Sequence, residues 1–227
     1  MEKNPYIRLA KFLQTFHVKS YRKGEIILFQ GEAPQAAYVI KSGIIKAYNL
    51  SAGGDEKPIA FYGEFSVFPG SWVFGKVPSA IYYYEAFVDT AVYSLPRADY
   101  IHFLKADPEL LFAELQNYVT DDVSKTMRLN ALQHSRASDK LIFTLHYLVI
   151  GHGKRLGPNL TEITLNLTHQ DFANLTGLTR ETTATELNKL KSLGIITYGK
   201  HTPYQVNLAK LAAVLNDQFI SDLNVTL

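Results

Sequence analysis

The sequence predicts an α+β protein with a β-rich domain, a long linking helix and a second, mainly helical domain. Short apolar runs separated by glycine turns fill the first part, and an apolar pattern with helical spacing begins at Asp107-Pro108. Two shorter helical patterns, broken by Gly177, come later in the chain. A chain of 227 residues is long enough for two small domains. The predicted boundaries are 1–106 for the first domain, 107–136 for the long helix and 137–227 for the second domain.

The first domain begins with a helical pattern at residues 5–16 and then changes to strands. Gly24, Gly31 and Gly43 separate the apolar runs, and short, evenly spaced strands with glycine turns are typical of a sandwich or barrel. The predicted strands are residues 26–29, 38–40, 44–48, 59–61, 80–86 and 91–95.

The long helical stretch follows the spacing of a coiled coil, although polar residues interrupt its apolar stripe midway. A helix of this length has to bury such a stripe. Two interpretations stay open: pairing with a second copy of the chain, or packing against the chain's own first domain. The positions in the stripe are Leu111, Leu115, Tyr118, Asp122, Lys125, Leu129 and Leu132.

Residues 167–196 carry the pattern of a helix-turn-helix. Thr168 precedes an apolar helical run and has Asp171 three residues later, which is close to a capping box. Gly177 can adopt the positive φ that a tight turn between two helices needs. Thr179 is a suitable N-cap for the second helix, and Gly194 can end it. Leu187, Leu190 and Leu193 are predicted to face inward, and Thr182, Thr185, Asn188 and Ser192 outward.

The outer face of the second helix predicts contact with DNA. Its first turn places Arg180 next to Glu181, and these side chains suit a guanine edge and a cytosine or adenine edge of the major groove. The alternative is a polar helix face that is only solvated. Lys200 or His201, at the tip of a predicted hairpin between residues 195 and 208, suits a phosphate contact. Flanking bases or phosphates are expected to meet Thr179, Thr182, Thr185 and Lys189.

The remaining segments complete the second domain. Residues 138–149 are predicted to form a helix, 151–159 a loop, 162–167 a strand and 210–219 a closing helix. The net charge is only +2, so attraction to a polyanion has to come from local placement of basic residues. The basic residues around the recognition helix are Lys189, Lys191, Lys200 and His201.

The segment GLTRET, followed by Leu187, Leu190 and GII, closely resembles the winged helix-turn-helix of the CRP/FNR superfamily of bacterial transcription regulators. The runs KGEIILFQGE and YVIKSGIIKAY resemble the first half of the family's cyclic-nucleotide-binding β-roll. The resemblance covers essentially the whole chain. It implies an N-terminal double-stranded β-helix (jelly-roll) domain, a long dimerisation helix and a C-terminal winged helix-turn-helix domain.

The resemblance also implies a function. A homodimer would present two recognition helices about 34 Å apart to a palindromic double-stranded DNA site, and RNA polymerase and a small-molecule effector are the further partners. In the family, the residues that match Arg180 and Glu181 contact the half-site core. Many members carry a second arginine where this chain has Thr185, which leaves the outer base preference open.

The roll departs from the family's cyclic AMP site. Gly63-Glu64 matches the family's Gly-Glu pair in type, but the family's Arg-Ser becomes Pro78-Ser79, and no arginine lies between Pro58 and Pro96. A buried phosphate needs charge-assisted donors. The sequence therefore disfavours cyclic AMP as the effector.

Aromatic residues are concentrated in the same stretch, with two interpretations. They form either an apolar or aromatic effector pocket, or a roll core filled by large rings without a ligand. A haem sensor is a lesser alternative that would need His102 or His134 as its axial ligand. The candidate effector-pocket residues are Gly63, Glu64, Phe65, Trp72, Ser79 and Tyr83.

Composition excludes several function classes. The chain has no cysteine, which excludes disulfides and cysteine-ligated iron–sulfur clusters. No histidine lies between His17 and His102, so a cupin-type metal site in the roll is not expected. No catalytic motif, metal spacing, membrane span or signal peptide is recognisable. We therefore expect a cytoplasmic protein that is not an enzyme and has no cofactor or metal. The alternative function is a ligand-binding dimeric module whose DNA-binding domain is inactive or needs an unidentified effector.

Overall fold

The computed structural model describes residues 4–199 and 202–215. The chain divides into two compact units, Met1–Tyr118 and Val119–Leu227. The predicted α+β class is confirmed, with a β-rich first unit and a second unit of helices and one small sheet. No helix among the described residues is long and apolar enough to cross a bilayer.

The first unit is a roll of two four-stranded antiparallel sheets. One sheet has the order β1-β8-β3-β6 and the other β2-β7-β4-β5. The elements are α1 (Pro5–Leu13), β1 (His17–Tyr21), β2 (Ile26–Leu28), β3 (Ala37–Ser42), β4 (Ile45–Leu50), β5 (Glu56–Tyr62), β6 (Val67–Phe68), α2 (Gly70–Val73), β7 (Tyr83–Ala86), β8 (Thr90–Leu95) and α3 (Arg97–Ala106).

Strand β3 of the first sheet is buried on both faces over residues 37–40, which explains its unbroken apolar run. Ile40 packs with Ile45 and Tyr84 of the second sheet in the roll interior. Val39, the next residue to Ile40, points to the other face, since successive strand side chains alternate. It packs there with Leu13 of α1 and with α3. Helices therefore cover the outside of the first sheet.

The turn glycines predicted from the sequence are confirmed, and Gly43 is the most constrained. Its φ is +93°, and a Cβ there would lie 2.6 Å from the Asp89 carbonyl oxygen and close to Thr90 as well. Gly24 has a similar φ of +86° but no atom within 4 Å of such a Cβ. Gly24 is therefore required by backbone conformation alone, whereas Gly43 is required by conformation and by space.

The second unit contains most of the helices. Its sheet is antiparallel with the order β11-β12-β10-β9. The long helix α4 (Pro108–Gln133) spans the division between the units, and the following elements are α5 (Ala137–His152), β9 (Gly153–Gly157), β10 (Leu160–Ile163), α6 (His169–Thr176), α7 (Arg180–Ser192), β11 (Ile196–Gly199), β12 (Thr202–Asn207) and α8 (Leu208–Leu215).

Several element predictions need correction. The expected loop at 151–159 contains strand β9, whose sequence GKRLG lacks apolar alternation and which is held by its backbone pairing with β10. The strand expected at 162–167 lies at Leu160–Ile163. Strand β1 and helix α3 were not predicted; α3 begins after Pro96 without a side-chain cap, so its start has no cap signal. Residues 200, 201 and 216–219 of the predictions lie outside the described residues.

We expect Gly43→Ala to destabilise the roll far more than Gly24→Ala. Placing alanine at positive φ costs about 1–2 kcal/mol, and the overlap at Gly43 adds about 1–3 kcal/mol. Urea unfolding, followed by the fluorescence of Trp72, the single tryptophan, measures both free energies of unfolding. Equal losses for the two variants would contradict the close contact at Gly43.

Candidate nucleic-acid interface

The two helices of the helix-turn-helix are capped as the sequence predicts. The Thr168 hydroxyl accepts a hydrogen bond from the Asp171 backbone N–H at 3.2 Å, and the Asp171 carboxylate accepts one from the Thr168 N–H at 2.7 Å. Gly177 ends α6 in the left-handed conformation, with φ 68°. The Thr179 hydroxyl then accepts from the Thr182 N–H at 3.1 Å and caps α7. Both helices pack against each other and against α5.

The inner face of α7 is shorter than predicted. Leu187 and Leu190 are buried, but Leu193 is 62% exposed, so the inward placement of Leu193 is wrong. The reason is that α7 ends there: Leu193 is the C-cap and Gly194 has a φ of 68°. The chain turns at Gly194, and Ile195 fills the core instead.

Arg180 and Glu181 occupy the first turn of α7 and are exposed. In the described part of the chain, neither side chain has a hydrogen-bond or ion-pair partner. The neighbouring hydroxyls are engaged differently, because Thr179 bonds Thr182 at 3.0 Å and Thr185 donates to the Glu181 carbonyl at 3.0 Å. The charged groups of Arg180 and Glu181 thus remain available for contacts with a partner. The neighbouring threonine hydroxyls form hydrogen bonds within the helix and its cap.

Lys189 is paired within its own helix. Its Nζ lies 2.6 Å from a Glu186 carboxylate oxygen, and the lysine side chain is 63% exposed. Only the lysine end of this pair is well exposed, because the Glu186 side chain is 16% exposed. A second anion can reach the Lys189 ammonium from solvent but has to compete with Glu186 for it.

The hairpin of β11 and β12, the predicted wing, is tied to α7 by Tyr198. The Tyr198 hydroxyl donates to Asn188 Oδ1 at 2.9 Å, and Lys191 Nζ donates to the Tyr198 carbonyl at 2.9 Å. The Lys191 ammonium also lies 4.5 Å from the Tyr198 ring centroid. The ring of Tyr204, on the neighbouring strand β12, stacks on the Tyr198 ring with centroids 4.6 Å apart. Lys191, predicted from the sequence to attract DNA, is thus occupied within the protein.

His169 was not singled out by the sequence, yet it lies beside this face. Its ring meets Tyr198 edge-on at 5.6 Å. Burial, and then the nearby charge of Arg180, lower the pKa of His169. The start of α6, the start of α7 and the wing therefore come close together. Lys200, predicted at the wing tip, lies outside the described residues.

The candidate effector residues of the roll fall in separate places. Phe65 and Trp72 pack against the cluster under α1 and α3, and the Phe65 ring is 5.6 Å from that of Tyr6. Tyr83 lies on the second sheet and stacks on Tyr48 with centroids 5.3 Å apart. The other three positions are Gly63 and Ser79, which are half-buried, and Glu64, which is exposed.

Stacked rings occupy the interior between the two sheets. Phe68 stacks on Tyr38 at 5.4 Å and on Tyr84 at 5.3 Å. Burial raises the pKa of Tyr84, so its hydroxyl stays neutral. Tyr62 and Tyr82 pack at the edge of this cluster. Among the described residues, no group of three or more histidine and acidic side chains is placed to hold a metal ion.

The chain matches two known protein families over most of its length. Residues 18–107 match the family described as "Cyclic nucleotide-binding domain", and residues 140–214 match "Crp-like helix-turn-helix domain". The chain belongs to the CRP/FNR superfamily. It is a transcription regulator of this family with a helix-turn-helix DNA-binding domain.

Relatives across the superfamily agree in length and fold. The chain is 27% identical over 194 residues to the global nitrogen regulator of Synechocystis sp., covering 85% of this chain and 86% of the relative. It is 26% identical over 200 residues to the cyclic AMP receptor protein of Thermus thermophilus, with 84% of each covered. A solved structure of a CooA mutant from Carboxydothermus hydrogenoformans shares the fold, with a TM-score of 0.73, 19% identity and coverage of 94% and 96%.

We expect Tyr198→Phe to loosen the wing by about 1 kcal/mol, the usual contribution of one hydrogen bond. Hydrogen exchange of the β11 amides should become roughly fivefold faster, since about 1.4 kcal/mol corresponds to a factor of ten. A double-mutant cycle with Asn188→Ala isolates the contact. If Tyr198→Phe accelerates exchange equally in the Asn188→Ala background, the hydroxyl–amide bond does not hold the wing.

Proposed function

We propose that the chain is a homodimeric, sequence-specific DNA-binding regulator in which Arg180 and Glu181 recognise the core of each half-site. The observation that carries this proposal is the first turn of α7. Two side chains of opposite charge are exposed there on a capped helix, and neither is paired within the described residues.

The chemistry of these two side chains complements base edges. The Arg180 guanidinium presents parallel donors that match the O6 and N7 acceptors of guanine, and the Glu181 carboxylate accepts from the amino group of cytosine or adenine. Thr179 and Thr182 are committed to the helix cap, so they suit backbone or flanking contacts. Lys189, once released from Glu186, suits a phosphate.

Helix α4 supports the homodimer. It exposes far more large apolar side chains than a lone helix in water tolerates, and pairing with a second copy along a coiled-coil seam buries them. This favours the coiled coil over packing on the chain's own first domain. The exposed residues are Leu111, Phe112, Leu115, Tyr118, Val119, Val123, Leu129 and Leu132.

The alternative function, a ligand-binding module, draws its support from the roll. Phe65 adopts a left-handed φ of 63°, a strained conformation for an aromatic residue that is more frequent at functional sites. Trp72 packs against the same cluster, and the Arg97 guanidinium lies 5.5 Å from its ring. A small apolar or aromatic effector, bound near Phe65 and Trp72, would fit this alternative. Sequence-specific binding by the ligand-free chain would contradict a version in which the DNA-binding domain is inactive.

We expect Arg180→Ala to cost about 1–3 kcal/mol of discrimination at the half-site core. The measurement is fluorescence anisotropy with matched and core-mutated duplexes at fixed salt. Arg155→Ala is the control, because Arg155 is exposed and its guanidinium bonds the Gly157 and Pro158 carbonyls of a different hairpin. Both variants lose one positive charge. Unchanged core discrimination in Arg180→Ala would disprove the assigned role.

We expect Val119→Glu with Val123→Glu to separate the dimer, because like charges would face each other across the seam. Sedimentation equilibrium should show the monomer mass of about 25.5 kDa. The control is Val214→Glu, at a valine of α8 that is 46% exposed, comparable to Val119 at 52% and Val123 at 39%. A doubly substituted protein that keeps its dimer mass would place the interface elsewhere.

A further inference from the structure

Arg128 is a buried cation on α4 that contacts the helix-turn-helix directly. The residue is only 8% exposed, and its Nη2 donates a hydrogen bond to the Leu175 carbonyl oxygen at 3.1 Å. Its guanidinium carbon lies 5.6 Å from the ring centroid of Tyr147 in α5. Arg128 therefore touches both α5 and α6 from the long helix.

The acceptor of this bond lies at a sensitive point. Leu175 is in the last turn of α6, where the final carbonyls have no partner within the helix. The N–H groups of Gly177 and Leu178 both bond the Ala173 carbonyl instead. Arg128 thus supplies a charge-assisted bond to a helix end that runs straight into the turn before Arg180.

Two exposed residues of the proposed dimer seam, Val119 and Val123, lie on the side of the same helix away from Arg128. Val119 precedes Arg128 by nine residues, which places it about 180° around a helix of 3.6 residues per turn. Val119 is 52% exposed, whereas Ser124, one turn from Arg128, is buried. At this level of α4, the face with Arg128 and Ser124 is buried, and Val119 on the opposite face is exposed to a second copy.

We propose that Arg128 is a positioning residue that fixes each recognition helix relative to the dimer axis and so sets the half-site spacing the protein accepts. This inference rests on the proposed function, a dimer on palindromic DNA. The hydrogen bond is shielded from water, and the Arg128 guanidinium lies between the Leu175 carbonyl and the Tyr147 ring. The planar guanidinium therefore constrains both the distance between α4 and α6 and their relative orientation. Without it, α6 and α7 keep their own caps and turn but lose a rigid link to the seam.

The test compares wild type with Arg128→Met on a panel of duplexes. Each duplex carries the inverted repeat that the wild type prefers, with its centre unchanged or altered by one or two base pairs. We expect the wild type to bind the unaltered spacing at least tenfold more tightly, and Arg128→Met to distinguish the spacings by less than threefold. Its preference at the half-site core should be unchanged, because α7 is intact. Replacing a buried charge by an apolar residue of similar length preserves folding in many proteins.

The controls separate positioning from folding. Arg155→Met removes an exposed arginine of β9 and should keep the wild-type spacing preference. Arg128→Lys keeps the charge but loses the planar guanidinium, so its discrimination between spacings should fall between those of the wild type and Arg128→Met. If circular dichroism shows that Arg128→Met is unfolded, Arg128→Lys replaces it in the comparison.

Retained spacing discrimination in a dimeric Arg128→Met protein overturns the inference. Loss of core preference together with spacing preference also overturns it, because it indicates a structural role. A wild-type protein that prefers no inverted repeat contradicts the proposed function itself. Failure of the proposed function is thereby distinguished from failure of the inference about Arg128.

Discussion

The left-handed turn at Gly177 is the constraint on which the DNA-facing surface depends. Its φ of 68° lets α6 end and α7 begin within three residues, with Thr179 as the new cap. No atom lies within 4 Å of a Cβ built on Gly177, so the requirement is one of backbone conformation and not of space. With this turn in place, Arg180 and Glu181 lie at the helix start and point away from the core.

The start of α7 has an electrostatic character that suits its proposed role. A helix N-terminus carries a partial positive charge, which favours Glu181 and disfavours Arg180. The pKa of His169, beside this turn, is lowered by burial and also by the nearby charge of Arg180. In the proposed complex, the O6 and N7 acceptors of guanine would supply a partner for the Arg180 guanidinium.

The extent to which the sequence predicted this structure follows from how local each signal is. Each helix cap, at Thr168 and at Thr179, involves residues no more than three positions apart, and the turn at Gly177 depends on one residue. All three features were predicted correctly. Leu193 was predicted wrongly because periodicity gives the face of a residue but not whether the helix continues past it. Strand β9 was missed because its stability comes from pairing with β10.

Contacts between distant residues could not be predicted at all. The bond from Tyr198 to Asn188 and the bond from Arg128 to Leu175 join residues 10 and 47 positions apart, and no pattern of residue types marks them. The roll was predicted in outline from its turn glycines. The sequence did not predict which aromatic residues lie in the interior, which lie on the α1 side and which lie on the second sheet. That distribution depends on how distant strands and helices pack together.

The most direct test of the central claim is selection of bound duplexes from a random DNA library by the purified, ligand-free protein. We predict enrichment of an inverted repeat with a G·C/A·T core, since each protomer presents one Arg180 and one Glu181. A folded protein, dimeric by sedimentation, that enriches no sequence would contradict half-site recognition by Arg180 and Glu181 in the ligand-free protein and would favour the ligand-binding alternative, with an effector bound near Phe65 and Trp72.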